Sequence, residues 1–252
     1  MSKSFQFISD QYERRARLYP ALFASSPGIG ILIAFLGVDH ATFSIIVTVL
    51  ASCGFFYSLA HVSRDRGKRM QERIFGDSLP TTVLLRHSDS QIDNLTKGRY
   101  HKLLSKAIGQ KFPSSAQEQR DPKSADMIYG SAVRWLKEQT RDRTKFKILS
   151  DELMAYGFRR NLYGLRPFGL VLALICLAGS LSFSGTLSFE APFIANEAAT
   201  IKGPFILAGT YSVIVFFLWL IRFDESAVRE AGFSYAQALL RSCDSPEKIG
   251  AK

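Results

Sequence analysis

Long apolar runs alternate with stretches dense in charge. Four windows contain no Lys, Arg, Asp or Glu: Leu18 to Val38, Ala41 to about Val62, Pro167 to about Phe189, and Gly203 to Ile221. An apolar helix needs about 20 residues to cross a hydrocarbon core about 30 Å thick, so each window predicts a spanning helix. Only Asp39 and His40 separate the first two windows, and a short polar loop with Glu190, Pro192, Asn196, Glu197 and Lys202 separates the last two. Links this short force antiparallel neighbours. The expected fold is an all-α membrane protein: four transmembrane helices as two hairpins flanking a mostly helical cytoplasmic domain.

Charge orients this layout. Lys and Arg are retained on the cytoplasmic side of a membrane much more strongly than acids are. Only Lys202 falls in the hairpin loops, whereas Arg14, Arg15, Arg17, Arg64, Arg66, Lys68, Arg69, Arg159, Arg160, Arg166 and Arg222 crowd the opposite ends. Both termini are therefore expected inside, in a multi-pass protein of a bacterial inner membrane. The expected organisation is an N-terminus over 1–17, hairpin 1 over 18–62, a cytoplasmic domain with a basic stalk over 63–166, hairpin 2 over 167–221 and an amphipathic tail over 222–252.

Within the polar part, Ser63 to Phe75 continues the second span as a helical stalk, and Gly76 to Pro80 reads as a break. Thr81 to Arg86 then reads as a short β-type or extended run. Thr96 is a candidate cap for a helix that carries Tyr100, Leu103, Leu104, Ala107 and Ile108 on one face and ends at Gly109. A polar linker from Lys111 to Arg120 precedes Asp121-Pro122, a cap and first-turn pair, and a helix with Ile128, Ala132, Trp135 and Leu136 on one side. A further helix from about Lys147 to Arg160 leads into the third span. The tail from Asp224 to Arg241 repeats Val228, Ala231, Tyr235, Ala238 and Leu239. About 100 residues of such helices make a marginal core, expected to pack on the stalk or on copies of itself.

The net charge of +10 raises the question of nucleic acid, but its crowding at the span ends makes it a topology signal first, with anionic lipid headgroups as the natural counterpart. Nucleic acid is disfavoured on that ground. Cys53, Cys176 and Cys243 show no paired or zinc-like spacing and read as unpaired and structural.

Candidate chemistry is sparse. The four windows hold no acid or base that would mark a proton relay or buried active site. In the polar part, Arg86, His87, Arg99, His101 and Lys102 form a candidate anion site for a phosphate-bearing small ligand, with a solvated basic face as the alternative. The HxD spacing of His87 and Asp89 is too weak for a metal site. No catalytic residue, cofactor or metal is expected. Gly157, Arg159, Arg160, Gly164 and Arg166 read as a headgroup anchor, or as a hinge between domain and third span. Small residues recur four apart at Ser26, Gly30 and Ala34, at Ser44, Thr48 and Ser52, and at Cys176, Ser180 and Ser184. These let helices approach within one chain or form the seam of a homo-oligomer.

The two-plus-two order of spans, together with RIFGDSLPTTVLLRH, GRYHKLL, SAVRWLKEQTRD and YGFRRNLYGLRP, resembles a group of uncharacterised bacterial four-span membrane proteins. The layout is also similar to four-transmembrane effectors of bacterial antiphage systems, including those attached to cyclic-oligonucleotide signalling. The resemblance carries no site residue across. The expected function is that of a non-enzymatic, oligomeric, membrane-disrupting or pore-forming effector controlled by its cytoplasmic domain, in phage defence. The alternative is a membrane-anchored sensor or scaffold that recruits a cytoplasmic protein partner.

Overall fold

A computed structural model describes residues 10–37, 42, 45–46, 54–184, 202–247 and 249–250. Among these the chain is all-helical. A π-helical turn, Glu13–Leu18, leads into α1 (Tyr19–Leu36), followed by α2 (Phe55–Phe75), α3 (Pro80–Val83), α4 (Asn94–Ile108), α5 (Ser115–Arg120), α6 (Pro122–Gln139), α7 (Lys147–Phe183), α8 (Gly203–Ile221) and α9 (Glu225–Arg241). Three helices among the described residues, not four, are long and apolar enough to cross a membrane: Glu13–Phe35, Lys147–Phe183 and Gly203–Ile221. Most of the expected second span lies outside the described residues. Its last residues open α2, which runs on through the expected stalk and stops at Gly76, a left-handed residue at φ 56°.

The chain divides into two compact units, Met1–Met70 with Gly157–Ala227, and Gln71–Tyr156 with Val228–Lys252. In the first unit α1 packs on α8. Phe23 lies 5.4 Å from Trp219 and 5.4 Å from Phe223, Phe35 lies 4.5 Å from Phe183, and the Tyr211 hydroxyl donates to Ser26 Oγ at 2.8 Å. Ala21, Ala24, Leu162, Leu165, Val215 and Trp219 are buried together, while Leu32, Val171, Ile175, Leu207 and Ile214 are exposed. An apolar surface around an apolar interior is what a bilayer requires.

The second unit has a side-chain core. Leu84, Leu104, Tyr129, Leu136, Leu239 and Leu240 are all fully buried in one cluster. The tail helix α9 thus supplies one wall of the core, and this is how a small set of modest helices closes. Asp93, not Thr96, caps α4, accepting from the Thr96 N–H at 2.8 Å, and Gly109 ends it at φ 66°. Asp121 and Pro122 open α6 as cap and first residue.

Two local readings are corrected. The run after Gly76 is not β-type: Leu79 is extended, Pro80 starts the one-turn helix α3, and Leu84 and Leu85 both turn inward. Pro at the first helical position, with its φ already fixed, outweighs the β propensity of Thr81-Thr82-Val83. The linker before Asp121 contains α5, opened by a capping box in which Ser114 and Gln117 satisfy each other's backbone N–H groups.

Candidate functional site

The predicted anion site separates into two places. Burial of Leu84 and Leu85 holds the turn that follows them against α4, α5 and α6, and there Arg86, His87 and His101 come together. The group at the centre is Glu118, on α5 and only 5% exposed. Its carboxylate accepts from the His87 N–H at 2.9 Å, the Ser88 N–H at 3.4 Å and the Tyr129 hydroxyl at 2.7 Å. Burial would raise its pKa, but these donors outweigh that and hold it below the ordinary glutamate value. The Tyr129 hydroxyl is correspondingly raised, by burial first and then by the carboxylate it donates to.

Around this centre each cation already has a protein partner. Arg86 donates from Nε to Asp126 Oδ1 at 2.9 Å and from Nη2 to Asp126 Oδ2 and to Ser78 Oγ. Lys97, 2% exposed, donates to the Arg86 carbonyl at 2.7 Å and to the Asp89 carbonyl, and its pKa falls through burial. The His101 Nε2 lies 2.7 Å from the Leu85 carbonyl, so Nε2 carries the proton and donates. The ring packs on Phe112 and Tyr129 and meets His87 edge-on at 5.0 Å. Burial lowers the His101 pKa, which keeps the ring neutral near pH 7. His87 Nε2 in turn lies 3.0 Å from the Pro113 carbonyl. The arrangement closes a turn in which Arg86, Lys97 and Glu118 each have protein partners.

Arg99 and Lys102 lie elsewhere on α4, along an open groove with Leu103, Lys106, Ala107 and Trp135. Arg99 reaches Asp244 at 3.5 Å across an exposed surface. Sequence reasoning missed Glu118, Lys97, Asp126 and Tyr129. The available signal for Glu118 was the Ser114-x-x-Gln117 capping pattern, which makes the linker helical and places the carboxylate one residue on. Among the described residues no three His, Cys, Asp or Glu side chains come together as metal ligands would.

The Arg-rich stretch lies inside α7, which continues without a helix break through Gly157, Gly164 and Pro167. A Cβ on Gly164 would lie 2.7 Å from the Arg66 carbonyl carbon and 2.8 Å from the Gly67 nitrogen, and one on Gly67 would lie 2.9 Å from Asn161 Cα. A Cβ on Gly157 would lie 2.9 Å from Ala16 Cβ. The fully buried Asn161 donates from Nδ2 to the Ala16 carbonyl at 2.6 Å, inside the π-helical turn. These residues make a backbone-to-backbone crossing of α2 and α7 with the N-terminal helix seated on it. Arg159 donates to the Ala227 carbonyl at 3.4 Å and Arg166 to the Leu220 carbonyl at 3.3 Å; Arg160 lies against Asn161 Oδ1 at 3.2 Å. Arg166 thus compensates carbonyls at the C-terminal end of α8.

Two of the small-residue stripes are in view. Cys176, Ser180 and Ser184 are buried, and a Cβ on Gly209 of α8 would lie 3.1 Å from Ser180 Cβ. Ser26 receives Tyr211, and Gly30 faces the same ring. Ser44, Thr48 and Ser52 lie outside the described residues. Compared with family models, with curated proteins and with solved structures, the chain matches none.

Proposed function

We propose that this chain is a non-enzymatic protein of a bacterial inner membrane in which a soluble helical unit governs a membrane-embedded one, and that copies of it act together on the bilayer. The observation that supports this reading is α7: one uninterrupted helix contributes Leu149 to the soluble core and continues as a candidate span to Phe183. The two units share this helix, and the proposed control runs along it. The basic residues beside the candidate spans support cytoplasmic termini and contact with anionic headgroups. A place in phage defence rests on the resemblance in layout alone. Expression with the neighbouring genes should depolarise the cell or admit a membrane-impermeant dye; an intact membrane potential with the chain inserted contradicts the proposal.

The second reading is a membrane-anchored sensor or scaffold that recruits a soluble effector. It is favoured by the Cys176, Ser180 and Ser184 stripe, which is buried within one chain and so is not free to form an oligomer seam. Conductance recordings in liposomes separate the readings: current supports the first, and a co-purifying partner without current supports the second.

A further inference from the structure

Helix α4 presents Arg99, Lys102 and Lys106 at i, i+3 and i+7 along one edge of a groove of 610 Å³ whose other lining includes Leu103, Ala107 and Trp135. Residues at these intervals lie nearly above one another, so the cations form a row about 10 Å long at 1.5 Å of rise per residue. Lys102 and Lys106 have no carboxylate partner among the described residues. Like charges one turn apart cost a helix a few tenths of a kcal/mol per pair, and an occupant of opposite charge removes that cost.

The shape of the charge narrows the occupant. A compact phosphate needs donors that converge on one point, whereas these are strung along a line. Carboxylates repeating once per turn on a facing helix match that line. A nucleic-acid strand would match the charge too, but it draws its affinity from a succession of stacking rings, and here the floor is aliphatic apart from Trp135. Leu103, Ala107 and the indole instead suit apolar side chains at i, i+3 and i+4 of a docked helix.

We infer that this groove docks an acidic amphipathic helix of a protein partner. The inference rests on the soluble unit being the one that receives a cytoplasmic signal, but it is tested without a bilayer. The probe is a fluorescent peptide of about 18 residues, built from Leu, Ala and Glu with one Glu per turn beside a Leu stripe. Its anisotropy is followed against the full chain in detergent micelles, with empty micelles as the blank. Binding should be saturable, should weaken at high salt, and should fall at least about tenfold in Lys102→Glu/Lys106→Glu. A matching Lys-Leu peptide should bind that variant better than it binds the original chain. If the reversed variant does not fold, the neutral Lys102→Gln/Lys106→Gln pair takes its place with the same expected loss. Absence of peptide binding, or binding unchanged in the variants, overturns the inference. Capture of a thymidine oligonucleotide in preference to the peptide, lost in the same variants, overturns it in favour of nucleic acid. None of these results depends on whether the protein depolarises a membrane, so failure here and failure of the proposed function are read separately.

Discussion

The two units of this chain solve the same problem, holding helices together, with opposite materials. The unit around Leu104 and Tyr129 excludes water from leucines and aromatics contributed by four helices, α4, α6, α7 and α9, and by the turns between them, and it surrounds one buried carboxylate with donors. In the unit that carries the three candidate spans the apolar side chains face outward as much as inward, so burial gives little preference for one packing over another. That unit adds close backbone contact to its side-chain packing: Gly67 and Gly164 let two backbones touch, and Asn161 ties down the N-terminal π-helical turn by a hydrogen bond to the Ala16 carbonyl. Side-chain volume holds one unit; in the other, backbone proximity is added to it.

Removal of α9 is the harshest way to test the first half of this comparison. A chain ending at Ala227 loses Leu239 and Leu240 from the core, and the unit around that core should lose its cooperative thermal transition in circular dichroism. Gly164→Val tests the other half. The Arg66 carbonyl cannot rotate away as a side chain could, so the cost should sit near the upper end of overpacking, about 3 kcal/mol. Its control is Gly98→Ala on the surface of α4, where a Cβ meets nothing and the gain should be roughly 0.5 to 1 kcal/mol.

Glu118→Gln should cost the unit around it about 2 kcal/mol in denaturant melts, because the amide cannot accept from all three donors. The smallest effect concerns pH. The folded pKa of His101 is lowered, so the unfolded chain binds more protons just below the ordinary histidine value of 6.5. Stability is then complete above that value and is lost as pH falls through the folded pKa. A His101→Phe variant should melt with a weaker dependence on pH between 7 and 5.

Element types were legible because period and caps are local. Asp121-Pro122 and Gly109 punctuate helices wherever they occur, and Gly203 to Ile221 is both the apolar window and the helix. The Thr81 to Arg86 run was misread because strand propensity ignores what a preceding proline has already fixed. The candidate site was legible only as a set of basic residues. Whether a cation is free depends on acids distant in sequence, such as Asp126 for Arg86, and no spacing reveals that partnership. The same holds for Gly157 and Gly164, which suggest a bend in a lone sequence. In the fold they lie where another helix comes close: Gly157 beside Ala16, and Gly164 beside the Arg66 and Gly67 backbone.

In the proposed function, copies of the unit with the three candidate spans act together on the bilayer. Release of a self-quenching dye from liposomes of anionic lipid, measured against the protein-to-lipid ratio, tests it most directly. Release should rise more steeply than linearly with protein, and Gly164→Val should suppress it. Release no greater than from protein-free liposomes at every ratio, with the chain inserted, would contradict it.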